Sequence, residues 1–245
     1  VPKGIDGLLV PVAVSATHIG LSTVRMEPTW MAMGQAAGTA AYISTRLDVP
    51  IRQLSIALVQ DIVLFTHQVT IFLRDVGYEH RDFAGLNYGG LIGLFPGYQA
   101  EPQKRLDRAT AAAWLWHWMQ HRYPGLKTPG TPPQFADVAA DRPEAAGIGV
   151  LGAVGALGPV PSGASFRPDE PLSAEDAARW IARAHRVSDR WRRNASDALR
   201  SDLEERVARL LREVAAQDQG VDPQALTRGQ FLRLLYLAAR TATPR

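Results

Sequence analysis

Asp137-Val138, followed by Phe166-Arg167-Pro168-Asp169-Glu170-Pro171-Leu172-Ser173-Ala174-Glu175, decides the fold, because the chain has already used this pattern once. Asp75-Val76 recurs as Asp137-Val138, and at the same offset Leu86 recurs as Ile148 and Gly93 as Gly155. A loop insertion then lengthens the offset. Pro102 pairs with Pro168, Leu106 with Leu172, Ala111-Ala112 with Ala177-Ala178, and Trp114 with Trp180. A third helix start, Leu226-Thr227-Arg228-Gly229-Gln230-Phe231, follows that of Leu172. A repeat of this length that keeps Asp-Val, Gly, Pro and a helix start marks duplicated supersecondary units, each too small to bury a core alone.

Around the repeats the composition is that of a globular chain. Hydrophobic residues make up 46% and charged residues 21% of 245 positions, too apolar for disorder. A net charge of +3 gives no field that argues for nucleic acid. The absence of cysteine removes a disulfide framework, a thiolate metal site and a cysteine nucleophile. No apolar run is long enough to span a membrane. The chain begins with Val1, with no charged segment leading into an apolar one, so no signal peptide is visible. The expectation is a fragment or processed chain whose missing N-terminal part carries any address.

The periodicity predicts a mainly helical protein, with helices near 28–46, 52–67, 81–93, 107–122, 143–156, 173–187, 189–217 and 227–240. Asp107, Ser173 and Thr227 stand where side chains cap free helical N–H groups. The 189–217 segment carries an apolar stripe of Trp191, Ala195, Leu199, Leu203, Val207, Leu210 and Val214, suited to packing on the repeats. Pro124 to Pro133, with four prolines and two glycines, reads as a linker. Near the start, Gly7-Leu8-Leu9-Val10-Pro11-Val12-Ala13-Val14 reads as a strand buried on both faces. A loop follows, then a small-residue helix opened by Pro28. Gly34 and Gly38 share one face of that helix, which suits either tight helix packing or close approach of a ligand.

Longer motifs in this first segment choose between those readings. Ser15-Ala16-Thr17-His18, Arg25-Met26-Glu27-Pro28 and Gly34-Gln35-Ala36-Ala37-Gly38-Thr39-Ala40-Ala41 resemble the C-terminal flavin-binding segment of a family of FAD-dependent oxidoreductases often labelled xanthan-lyase-related. In that family a strand carrying an "SATH" pattern leads to "RMEPxxMxxGQAAGxAA". The resemblance runs from the start of the chain to about Gln60. It implies FAD as cofactor and places His18, Arg25, Gly34, Gln35 and Ala36 at the flavin site, with His18 alternatively a capping residue. A helix N-terminus suits an electron-rich flavin carbonyl or pyrophosphate. The Gly-rich βαβ fingerprint that holds a dinucleotide is absent from the sequence, so the segment supplies only part of a flavin pocket. The catalytic residues are not identified.

The repeats resemble S-layer-homology units, whose pattern runs "F-x-D-V … G … F-x-P … L-T-R-A-E". Unit two carries Phe135-Ala136-Asp137-Val138 and Phe166 to Glu175; unit one carries Phe72, Asp75-Val76, His80, Gly93, Leu94, Gly97-Tyr98 and Leu106-Asp107-Arg108-Ala109. The resemblance implies wall-polymer binding through the arginine of the T-R-A-E motif, which stands here as Arg108 and Arg228. Ala174 occupies that place in unit two, and the third unit lacks its "F-x-D-V" half. A cation in the first helical turn opposes the helix dipole. Arg108 and Arg228 therefore read either as grips for an acidic sugar or carboxylate, or as ordinary salt bridges.

The resulting expectation is a mainly α chain: a helical S-layer-homology-like module preceded by a strand–helix remnant of an FAD-binding α/β domain. The domains fall at 1–68 for the oxidoreductase segment and 69–245 for the repeats. The latter divide into unit one (70–123), linker (124–133), unit two (134–187), and a long helix with a partial third unit (188–245). The functional reading is the C-terminal part of a flavin-dependent oxidoreductase, inactive as this chain alone and completed by a missing N-terminal FAD-binding portion. Cell-wall polysaccharide is the second partner, with no nucleic acid and no membrane span, in the extracellular space or cell envelope of a bacterium. The alternative is a non-enzymatic envelope-binding module, and a weaker one is a ligand-free helical scaffold. His117 and His121 have the spacing of a helical zinc pair, but no acidic third ligand follows, so no metal is expected. Trp114 and Trp118 share a core-facing side of their helix, and Trp116 points elsewhere.

Overall fold

The computed structural model describes residues 1–123, 126, 135–161, 163–191, 209 and 222–241. Among these the secondary structure is helical: α1 (His18–Val24), α2 (Glu27–Leu47), α3 (Ile56–Phe65), α4 (Phe83–Leu91), α5 (Arg108–Arg122), α6 (Ala145–Ala153), α7 (Ala174–Trp191) and α8 (Arg228–Thr241). A short 3-10 turn covers Ile51–Gln53. The linker expected at 124–133 lies outside the described residues except for Leu126, and so does most of the 189–217 helix. Helix α7 runs unbroken to Trp191, past the helix end expected at 187.

The chain divides into two compact units, Val1–Thr70 and Ile71–Arg245. In the first, α2 and α3 pack together. Ile43, Ala57, Val63 and Leu64 are buried there. Gln35 Nε2 donates to Thr66 Oγ1 at 2.7 Å, and Gln68 Nε2 to the Ala32 carbonyl at 3.2 Å, tying the end of α3 back to α2. The strand expected at 7–14 does not form. No strand pairs with it among the described residues, Pro11 has no N–H to offer a ladder, and Leu8, Val10 and Val12 are exposed. Helix α1, expected as loop, forms instead. Thr17 caps it, its Oγ1 accepting from Gly20 N at 3.1 Å.

The second unit is built on a closed circuit. Leu106 N donates to the Leu226 carbonyl at 2.8 Å, Leu226 N to that of Leu172 at 2.9 Å, and Leu172 N to that of Leu106 at 2.8 Å. All three leucines are buried. Three equivalent residues bonded head to tail define a pseudo-threefold arrangement, with α5, α7 and α8 each starting from one member. Each start is capped as its sequence requires. Asp107 Oδ1 accepts from Thr110 N at 2.7 Å, and Ser173 Oγ accepts from Asp176 N at 3.1 Å. Thr227 and Gln230 form a reciprocal capping box at 3.3 and 2.9 Å.

Two further helices repeat the pattern: α4 packs on α8, and α6 packs on α5. A glycine sets the first crossing, while the second has room for a side chain. A Cβ built on Gly85 would lie 2.6 Å from the Arg233 backbone nitrogen, whereas one on Gly147 would meet Ala113 Cα at 3.5 Å and Trp116 Cβ at 3.6 Å. Gly93 and Gly155, equivalent in the two repeats, both hold the left-handed conformation (φ 81° and 80°) that ends α4 and α6. Trp118, Tyr88, Phe231, Leu115, Ile148 and Ile181 fill the interior. A buried ion pair, Asp82 Oδ1 with Arg233 Nε at 3.1 Å, fixes the start of α4 to α8.

Candidate functional site

In the first unit, His18 opens α1 and Arg25 closes it; both are exposed. Helix α2 starts directly after, with Met26 as an N-cap that offers no side-chain hydrogen bond and Glu27 in the first turn, where its charge suits the dipole. Gly34 and Gly38 lie one turn apart on one side of α2, and a Cβ at either position would meet nothing within 4 Å. That face is therefore open to a large planar group or to another backbone, and among the described residues no neighbouring helix explains the two glycines. Ala36, about 200° around the helix from Gly34, is half-buried on a different side. Gln35 is engaged with Thr66.

The same unit carries much exposed apolar surface. Ile19 is 82% exposed, Met31 75%, Ile56 65% and Tyr42 63%, against a buried core of four aliphatic side chains. Large unpaired apolar surface marks an interaction face.

In the second unit, Arg108 and Arg228 are the first residues of α5 and α8 and occupy equivalent grooves. Arg108 Nε donates to the Phe166 carbonyl at 2.9 Å, and its Nη1 pairs with the Asp176 carboxylate. Its guanidinium lies 4.9 Å from the Trp180 ring centre and 5.2 Å from that of Phe166. Arg228 Nη1 bonds the Glu101 carboxylate at 2.5 Å and reaches the Ala100 carbonyl at 3.5 Å, with its guanidinium 5.6 Å from the Trp114 ring centre. The unfavourable helix-dipole position of each cation is thus offset by a carboxylate, a carbonyl and an aromatic face. Trp114 and Trp180 fill matching buried sites beneath the two arginines. At the third start stands Ala174, whose N–H donates to the Pro223 carbonyl at 2.9 Å.

The grooves are shaped by residues the sequence reading did not single out as functional. Asp75 accepts from Ala100 N at 3.0 Å and Glu101 N at 2.6 Å. Asp137 accepts from Phe166 N and Arg167 N, both at 2.7 Å. Glu101 and Arg167 both take positive φ, 50° and 58°, as this sharp turn demands. Partial burial raises both carboxyls, but hydrogen bonding more than offsets it. Asp137 is lowered to about 2 by Ser165 and the two backbone N–H groups, and Asp75 is lowered by its own N–H donors and the Arg228 charge. Burial raises Asp176 too, yet Arg108 and Arg179 pull it below the ordinary aspartate value. The signal was present in the sequence: the acceptors repeat at the shorter offset and the donors at the longer one, so the loop insertion falls between them.

His117 Nε2 meets the Ile92 carbonyl at 2.7 Å. His121 is lowered by burial and by the neighbouring His117 and Arg122. Among the described residues no cluster of three metal-ligating side chains forms, and none of their helices is long and apolar enough to cross a membrane.

Comparison with known families places one part of the chain. The family model described as FAD dependent oxidoreductase matches residues 1–63, which lie wholly within the first compact unit. This segment is related to flavin-dependent oxidoreductases. No curated protein matches the chain.

Proposed function

We propose that the first unit is the C-terminal part of a flavin-dependent oxidoreductase of the xanthan-lyase-related kind and contributes one wall of its FAD site. The family match over residues 1–63 carries this reading. The open Gly34–Gly38 face of α2 and the uncapped start of that helix support it, since they fit a ring or pyrophosphate brought close to backbone. His18, Arg25, Gln35 and Ala36 complete the proposed lining. FAD, when bound, supplies the redox chemistry; the chain's residues bind and orient it. The exposed apolar side chains of the unit are the face against which the rest of the FAD-binding portion packs. The test is the absorption spectrum of the complete gene product purified without added cofactor. Flavin bands that Gly34→Val removes, with the fold kept, support the reading; a colourless protein that does not take up FAD contradicts it.

The second unit supports a separate reading, as an S-layer-homology-like module that holds the enzyme at a bacterial cell envelope through wall polysaccharide. The matched placement of Arg108 and Arg228 over Trp180 and Trp114 favours it. Sedimentation with isolated wall sacculi tests it. The parent protein is expected to co-sediment, and the Arg108→Ala, Arg228→Ala double variant is expected to stay in solution while keeping its circular dichroism. A parent protein that does not bind, or a double variant that still does, contradicts wall binding by these arginines.

A further inference from the structure

We propose that the cleft between the C-terminal end of α6 and the second half of α7 binds a small organic carboxylate with a short apolar body. The cleft has a volume of about 310 Å³ and is lined by Val154, Gly155, Gly158, Pro159, Arg183, Arg186 and Val187. It lies on the opposite half of α7 from the Arg108 groove and shares no residue with it.

The pseudo-symmetry exposes what is unusual here. At the repeat offsets Val154 corresponds to Ile92, and Arg183 to His117. In the first copy the position is closed, because His117 Nε2 bonds the Ile92 carbonyl at 2.7 Å. In the second copy the imidazole is replaced by a longer guanidinium that lies against Gly158, where a Cβ would overlap it. Gly155 and Gly158 both hold positive φ, 80° and 96°, so the wall facing the guanidinium is bare backbone.

Charge fixes the class of ligand. Among the described residues no carboxylate pairs with Arg183; the acidic residues of the first turn of α7, Glu175 and Asp176, are taken by Arg179 and Arg108. The guanidinium fork of Arg183 matches a carboxylate in shape, and its charge attracts an oxyanion. The nearby N–H groups do not contribute, since Gly155 N donates to the Gly152 carbonyl and Gly158 N to that of Gly155. Recognition therefore falls to Arg183. The remaining wall, Val154, Pro159 and Val187, is apolar, which favours a carboxylate with a hydrocarbon body over a fully hydrated phosphate. The size suits a ligand of one small ring.

Calorimetric titration of the 245-residue chain with benzoate, with benzamide as its neutral isostere and with inorganic phosphate, tests the assignment. Benzoate should saturate, and benzamide and phosphate should each bind at least about tenfold more weakly. Arg183→Gln should weaken benzoate about tenfold with the thermal midpoint retained. Should that variant fail to fold, Arg183→Lys keeps charge and packing and should still weaken benzoate several-fold, because the fork is lost. Absence of saturable benzoate binding, equal binding of benzamide or phosphate, or unchanged affinity in the folded Arg183 variant overturns the proposal.

Discussion

Asp75 and Asp137 hold the same position in successive repeats. Each carboxylate takes hydrogen bonds from two successive backbone N–H groups on a turn that leads to the next helix start. The first anchors the turn that meets Arg228, the second the turn that meets Arg108. The pair therefore fixes the two turns on which the arginines rest.

Removing one anchor should loosen one groove and leave the other. Asp137→Ala loses three acceptor interactions on a solvent-facing turn and should cost on the order of 1–2 kcal/mol at neutral pH. The folded-state value of Asp137 is depressed to about 2. Its stabilisation is therefore fully present above the unfolded aspartate value of about 3.9 and declines as pH falls towards 2. Denaturant unfolding followed across that window should show the gap between parent and Asp137→Ala narrowing with acidification. A constant gap would mean the carboxylate charge is not what holds the turn.

The two glycine crossings should respond oppositely to alanine. At Gly85 the added methyl meets the Arg233 backbone at 2.6 Å, and neither helix axis can yield cheaply. Gly85→Ala should cost about 1–3 kcal/mol despite its better helix propensity. At Gly147 the nearest atoms are 3.5 Å away or more, an ordinary contact. Gly147→Ala should be neutral or stabilising by up to about 1 kcal/mol. Thermal unfolding of the two variants side by side checks the contrast.

Arg108 and Arg228 share a role but not a depth. The Arg108 side chain is 11% exposed and its partner Asp176 23%; for Arg228 and Glu101 the figures are 18% and 49%. Solvent screens the second pair more. Arg108→Ala should cost about 2–3 kcal/mol, since it leaves Asp176 partly buried without its main cation. Arg228→Ala should cost about 1 kcal/mol or less. Chemical denaturation of the single variants measures both, and equal losses would contradict the difference in screening.

The helices were legible because each wrote its own signals locally. Asp107, Ser173 and Thr227 mark three starts, and the Trp114–Trp180 correspondence already pairs two of them. What could not be read was long-range. Asp82 and Arg233 meet across most of the second unit, and nothing local in either segment announces it. The apolar run at 7–14 has the composition of a buried strand, but a strand exists only when its backbone groups find a partner, and here they find none among the described residues. Helix α1 went unread because glycine and β-branched residues in His18–Val24 mask a short helix whose one clear signal is the Thr17 cap. At the candidate flavin site the motif named the residues. Their sharing a segment did not reveal that Gln35 is engaged with Thr66, nor that Ala36 faces another side of α2 from Gly34.

Residues 1–63, as proposed, form one wall of a flavin site and not a whole one. Titration of FAD into the 245-residue chain, followed by quenching of flavin fluorescence, tests it most directly, with the complete gene product as the comparison. No saturation by this chain is expected at micromolar FAD, and tight retention is expected of the complete protein, lost in Gly34→Val. Micromolar affinity of this chain alone, or a normal flavin content in the Gly34→Val complete protein, would contradict it.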